Sequence, residues 1–152
     1  MNYDSQKLGA PNINICGLQI WVHSFQFPHA EEYWDANWLN VTVHCGARSA
    51  DVWVSGSIIH LSEIQSWHDQ AVDLHKSLTG EANLSCMEPE LDVSILATKN
   101  GKMEMIVKIT PDHLTQEHTF EFEIDQSYLP DLILSCKRTL NEYPIKGLDK
   151  NS

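Results

Sequence analysis

The stretch from residue 91 to residue 109 reads LDVSILATKNGKMEMIVKI. Apolar and polar residues alternate before and after Asn100-Gly101, which is the strongest turn signal in the chain because both residues tolerate positive φ. The pattern predicts two antiparallel strands, over about 90–98 and 102–110, joined by a tight hairpin. Each strand would place its apolar residues on one face and its polar residues on the other.

Strand-like patterns also lie on both sides of this hairpin. β-Branched and aromatic residues are dense from Ile13 to Phe27, where Gly17 suggests a bulge or turn and Pro28 ends the pattern. Gly46 to Ala50 is typical of a hairpin turn, and Gly56 breaks the strand pattern that follows it. The predicted strands cover about residues 18–26, 37–46, 51–55, 57–59 and 118–125. In the second of them, one face would carry Leu39, Val41, Val43 and Cys45.

Two segments change to helical spacing. Ser62-Glu63-Ile64-Gln65 matches a capping box and opens a predicted helix over 62–79, with Gly80 as its left-handed stop. A second predicted helix covers 128–142, with Ser127 as its cap, Pro130 in its first turn and Pro144 after its end. The apolar stripe of the first helix contains Ile64, Trp67, Ala71, Leu74 and Leu78.

These elements predict an α+β fold with a six- to seven-stranded, largely antiparallel sheet and two helices packed on one face. The length of 152 residues fits one domain. We expect a flexible lead-in over 1–12, a single α+β domain over 13–146 and a C-terminal tail over 147–152. The other face of the sheet would carry Asp92, Glu104, Lys108, Glu121 and Glu123.

The charge balance points to a class of partner. Ten basic and 21 acidic residues give a net charge of −11. This charge repels phosphate backbones, which argues against nucleic-acid binding, and it can steer a basic protein partner. The alternative is that the charge only confers solubility.

Other sequence features concern localisation and redox state. No apolar run approaches the length of a membrane span, and no signal peptide is visible at the N-terminus. We therefore expect a soluble, cytoplasmic protein with no membrane partner. Cys16, Cys45, Cys86 and Cys136 are widely separated, which is typical of reduced, mostly buried thiols.

The chain lacks the sequence signals of an active or metal site. Its eight histidines form no ligand-like pair matched by a second pair. Nucleophile-elbow, phosphate-loop and dinucleotide-binding glycine motifs are missing from the sequence. We predict no catalytic residues, no metal and no cofactor.

The densest unusual stretch is EEYWDANWLN, residues 31–40. Aromatic anchors beside acids suit the recognition of a basic protein. Alternatively, Asp35 or Asn37 caps backbone amides where the strand begins, and Trp34 or Trp38 covers the edge of the core. The predicted partner-binding residues are Glu31, Glu32, Tyr33, Trp34, Asp35 and Asn37.

The same stretch resembles the WapI-type immunity proteins of bacterial polymorphic-toxin systems. The resemblance starts from E-x-W-D-A-N-W-L-N-V, residues 32–41, and continues in the acidic step CMEPEL, residues 86–91. It also includes IDQSYL, residues 124–129, and the helix that closes at Tyr143-Pro144-Ile145. It spans about Ile15 to Ile145 and implies a small, acidic cytoplasmic protein that binds and neutralises a cognate toxin. The resemblance carries over no toxin-contacting residues.

We therefore interpret the sequence as a non-catalytic, acidic binding protein, an immunity protein that blocks a basic toxin domain. A second hypothesis is an interaction or regulatory domain of another pathway, in which an exposed sheet edge could form a homodimer. A third is an uncharacterised enzyme.

Overall fold

The computed structural model describes residues 5–147, which form eight strands, four α-helices and one 3₁₀ turn. The residues at 1–4 and 148–152, which belong to the predicted lead-in and tail, lie outside the described part. The strands are β1 Ile13–Ile15, β2 Leu18–Phe25, β3 Trp38–Ala47, β4 Ala50–His60, β5 Glu81–Ser85, β6 Leu91–Ala97, β7 Lys102–Ile109 and β8 Thr119–Asp125. The helices are α1 Ser5–Leu8, α2 Tyr33–Ala36, α3 Leu61–Ser77 and α4 Leu129–Glu142, and the 3₁₀ turn is Gln126–Tyr128.

The strands form two antiparallel sheets of four strands each, in the orders β1-β2-β3-β4 and β5-β6-β7-β8. The α+β class is confirmed, but the prediction of a single six- to seven-stranded sheet is wrong. Helix α3 separates β4 from β5 along the chain, and the Gln70 side chain of α3 accepts a hydrogen bond from the Asn83 N–H of β5 at 3.0 Å. The edge of β5 therefore bonds to a helix instead of to β4.

One core joins the two sheets and the two long helices. Helix α3 contacts α4, β4 and β5, while α4 contacts β1, and the sheets meet where β3 approaches β8 and β4 approaches β7. The indole of Trp67 on α3 is fully buried in this core. The predicted inward face of β3 is confirmed, because Leu39, Val41, Val43 and Cys45 are all fully buried.

The predicted helix at 62–79 is confirmed as α3, but different residues cap it. The N-cap is His60 and its capping-box partner is Glu63, in place of Ser62 and Gln65. The chain turns into the left-handed region at Leu78, where φ is 56°, before Gly80 is reached. The Leu78 N–H still donates to the Leu74 carbonyl at 2.8 Å, so the last turn of the helix is closed.

The second predicted helix is confirmed as α4, with Pro130 in its first turn. Ser127 is not its cap. The Asp125 carboxylate accepts a hydrogen bond from the Ser127 N–H at 2.8 Å and starts the 3₁₀ turn that precedes α4.

Of the two glycines expected to interrupt strands, Gly17 does so and Gly56 does not. The segment that begins at Ile13 turns at Cys16-Gly17, as expected, and a Cβ on Gly17 would collide with the Gly46 carbonyl and the Phe122 ring. Gly56 does not interrupt β4, which runs unbroken to His60. The irregularity is a bulge in the β3–β4 pairing, next to Leu39.

The four cysteines are free and differ in exposure. Cys45 and Cys136 are buried, and burial raises the pKa of each thiol to about 12. Cys86 is half-buried, and burial raises its pKa too. Cys16 is exposed in the β1–β2 turn and is the exception among the thiols, which were expected to be mostly buried.

We expect these thiols to react at very different rates in the native protein, because the thiolate is the reactive form. At pH 8, a chromogenic disulfide reagent should modify Cys16 rapidly and the other three only as the protein opens. In denaturant, all four cysteines should react. Cys16→Ser should remove the fast phase and Cys86→Ser should retain it. A fast phase in Cys16→Ser would contradict the burial of the other thiols.

Candidate functional site

The tryptophan-rich stretch forms the turn between β2 and β3, and Glu32 shapes this turn. Its carboxylate oxygens accept hydrogen bonds from the N–H groups of Trp34 and Asp35, both at 3.2 Å. The Ala36 N–H donates to the Glu32 carbonyl at 2.8 Å. Glu32 thereby caps the one-turn helix α2.

Asn37 ties this turn to the C-terminal segment of the domain. It is fully buried, and its amide nitrogen donates to the Tyr33 carbonyl at 2.7 Å and to the Lys146 carbonyl at 2.8 Å. Its amide oxygen accepts from the Lys146 N–H at 2.8 Å. The Lys146 ammonium lies 3.7 Å from the centre of the Phe25 ring, a cation–π contact. The Asn37 amide therefore holds two distant chain segments together.

A buried histidine lies under the turn. His60 is fully buried, and its Nδ1 accepts a hydrogen bond from the Ser62 N–H at 3.2 Å. A nitrogen that accepts a backbone N–H carries no proton, so the proton of the ring is on Nε2. Nε2 then donates to the Trp34 carbonyl at 3.0 Å. Both ring nitrogens are thus engaged by the protein, and the Ser62 hydroxyl oxygen also lies 2.7 Å from Nδ1.

Three aromatic side chains pack around this imidazole. Trp34 stacks on the ring at a centroid distance of 4.5 Å, while Trp38 and Tyr33 meet it edge-on at 5.2 and 5.6 Å. Trp38 is 8% exposed and belongs to the core, whereas Trp34 is 38% exposed. The structure thus shows which tryptophan is buried and which is exposed, a distinction that the sequence could not make.

Glu63 extends the network to another part of the chain. One carboxylate oxygen accepts from the His60 N–H at 2.8 Å, and the other accepts from the Met87 N–H at 2.8 Å. Burial raises the pKa of Glu63, although both hydrogen bonds oppose the shift. A raised pKa means that the contribution of this group to stability is full at acidic pH and declines as pH rises through the folded-state pKa. Because His60 also bonds to Trp34, Glu63 and His60 together connect the two stretches, 32–41 and 86–91, that resemble the immunity proteins.

The structure brings the six predicted partner-binding residues onto one turn but gives them different surroundings. Glu31, Trp34 and Asp35 are exposed, and the Asp35 side chain makes no hydrogen bond to the described residues. Tyr33 is half-buried, Glu32 is exposed but occupied by its cap, and Asn37 is inside. Glu32 thus has the capping role that the sequence suggested for Asp35.

Sequence reasoning missed His60, Glu63 and Lys146 as parts of this site. The sequence signal for His60 and Glu63 was the capping-box spacing, with Glu three positions after the N-cap and just before an apolar helical pattern. It was missed because histidine is not a usual N-cap residue. No local signal indicates Lys146, because it acts through its backbone and lies 109 residues from Asn37.

The hydrogen bonds of Glu32, Asn37 and His60 fix the position of the turn at 31–37. His60 offers no free ring nitrogen to a substrate, since protein atoms engage both. Within residues 5–147, no group of three histidine, cysteine or acidic side chains is arranged to hold a metal ion. In the same range, no helix is long and apolar enough to cross a membrane.

The two antiparallel sheets, the helix pair and this aromatic turn define a small α+β protein with an acidic, aromatic surface. A family model described as the immunity protein WapI-like family matches residues 10–144. The chain therefore belongs to the WapI-like immunity protein family, as the resemblance indicated. Comparisons with curated proteins and with solved structures find no match.

Replacing Asn37 should test its role in tying the turn. Asn37→Ala leaves the Lys146 backbone groups without buried partners, so we expect the free energy of unfolding to fall by about 1–3 kcal/mol. Asp35→Ala is the matched control, because an exposed side chain without a hydrogen bond should change that free energy by less than about 0.5 kcal/mol. Urea denaturation measures both, and equal stability of the two variants would contradict the assigned roles.

Proposed function

We propose that this protein is an immunity protein that neutralises a cognate bacterial toxin domain by binding it, without catalysis. The observation that carries the proposal is the match of the immunity family over residues 10–144. The engagement of both His60 nitrogens supports a binding role, because the one fully buried histidine of the described residues has no free nitrogen for proton transfer.

The charge of the chain supports a basic toxin partner. At a net charge of −11, this protein attracts cations over long distances and accelerates encounter with them. Stoichiometric inhibitors need fast association, because every unbound toxin molecule stays active.

The turn at 31–37 supplies a suitable contact surface. Glu31, Trp34 and Asp35 face solvent, with Tyr33 partly accessible beside them. Stacking on His60 holds the Trp34 indole, so little side-chain freedom is lost when a partner covers it. In this proposal Glu32 and Asn37 position the contact residues from below. Acids beside an oriented tryptophan can both attract and retain a basic surface.

A neutralisation assay tests the function directly. We expect the purified protein to form a stable complex with the toxin domain encoded beside its gene and to abolish that toxin's activity. Because binding is stoichiometric, protection should reach completion at one equivalent and should fall in proportion below it. Full protection at a small fraction of an equivalent would instead show an enzyme, and no protection at any ratio would contradict the proposal.

The contribution of the turn can be measured separately. Glu31→Lys/Asp35→Lys should slow association with the toxin domain by about tenfold at low salt, since charge reversal at an interface mainly lowers the on-rate. The difference from the parent should shrink at 1 M salt, where the Debye length is about 3 Å.

The control for the turn is Asp73→Lys/Glu117→Lys, which makes the same charge change at two exposed positions outside the turn. Stopped-flow association rates should separate the two variants. Equal rates for both would show that the turn is not a contact surface, while thermal melts confirm that each variant is folded.

A further inference from the structure

The second sheet has one face that no other part of the described protein covers. In β5 to β8, the residues directed to the core are mostly buried, including Leu84, Val93, Ile95 and Met105. The alternate residues form what we call the outer face, and every one of them is exposed or half-buried. This face is therefore accessible to a partner on β6, β7 and β8, whereas on β5 the side-chain oxygen of Asn83 is buried.

A row of residues across the outer face combines acids with an exposed leucine. The strand register places Glu81 beside Leu96, Leu96 beside Glu104, and Glu104 beside Glu123. Leu96 is 45% exposed. Glu121 follows on β8, next to the half-buried Ile106 of β7. Apolar side chains surrounded by charges resemble the core and rim of a protein interface.

The Glu104–Glu123 pair is unfavourable for the isolated protein. Like charges directly opposite each other on neighbouring strands destabilise a sheet. The adjacent row on one side contains a complementary pair, Lys102 opposite Asp125, and a second such pair, Asp92 opposite Lys108, lies two rows away on the other side. In residues 5–147, the acid–base contacts are those of His44–Asp51 and His68–Asp69, so no lysine or arginine lies within ion-pairing distance of Glu104 or Glu123.

A cleft adjoins these glutamates. It has a volume of about 680 Å³, and its lining contains four acids, the one cation Lys102 and Tyr128; the acids are Glu104, Glu121, Glu123 and Asp125. Tyr128 is 39% exposed, so an aromatic ring is available at the margin of the cleft. A carboxylate-lined cleft with an aromatic wall has space for the long side chain of a lysine or arginine.

We propose that the outer face of the second sheet docks a basic segment of the toxin domain. Leu96 and Ile106 pack against the apolar atoms of that segment, and Glu104, Glu121 and Glu123 bind its lysines or arginines. The proposal rests on the proposed function and adds a surface separate from the turn at 31–37. A basic partner relieves the repulsion between Glu104 and Glu123, whereas a second copy of this chain would bring further glutamates against them.

A charge reversal at this pair should move stability and binding in opposite directions. Glu123→Lys places a lysine opposite Glu104, so we expect a Tm increase of roughly 1–3 °C. The same substitution should slow association with the purified toxin domain by about tenfold at low salt. Leu96→Ser should mainly raise the dissociation rate, because it removes an apolar contact without changing charge.

Asp73→Lys is the matched control, since it makes the same charge change on the exposed side of α3. It should associate within about twofold of the parent, because it lies outside the proposed surface. If Glu123→Lys and Asp73→Lys associate at the same rate, the docking surface is wrong although the protein still binds its toxin. If the parent itself does not bind the toxin domain, the proposed function fails. A parent dimer that Glu123→Lys dissociates would assign the face to self-association and overturn the proposal.

Discussion

The buried imidazole of His60 is the group on which the position of the aromatic turn depends. It ends β4, caps α3 and donates to the Trp34 carbonyl, so one ring joins a strand, a helix and the turn before β3. Glu63 adds the loop before β6 through Met87. A buried polar ring is tolerated here because each of its nitrogens has a hydrogen-bond partner. Without it, the aromatic turn would lose both its stacking partner and a backbone hydrogen bond.

Much of the secondary structure could be predicted from the sequence, since alternation and helical spacing are local patterns. The hairpin around Asn100-Gly101 and the helix containing Trp67 are clear examples. The division into two sheets could not be predicted, because alternation shows that a segment is a strand but does not show which strand it pairs with. Strand β5 was missed because it has only five residues, too few for a clear alternation of apolar and polar residues.

The segment that contains the candidate site could be chosen from the sequence, but the contacts of its residues could not be predicted. The residues of EEYWDANWLN do lie together, but which of them are exposed and which are buried depends on partners far along the chain. Trp34, Trp38 and His60 all contact one another, yet Trp38 is buried at the start of β3 while Trp34 is exposed on the turn. The Glu104–Glu123 pair shows the same limit, since its repulsion exists only in the register that the folded sheet adopts.

The bonds between Asn37 and Lys146 also set a time at which the turn can be completed. These residues are 109 positions apart. At about 5–20 residues per second, synthesis of the intervening chain takes roughly 5–20 s. Strand β2 is made before that time begins, and β3 and β4 are made early in it, while the Asn37 amide has only the Tyr33 carbonyl as a partner. A chain that stops before Lys146 keeps the tryptophans and acids of the turn but not their anchor, so the turn distinguishes a chain that contains Lys146 from one that lacks it.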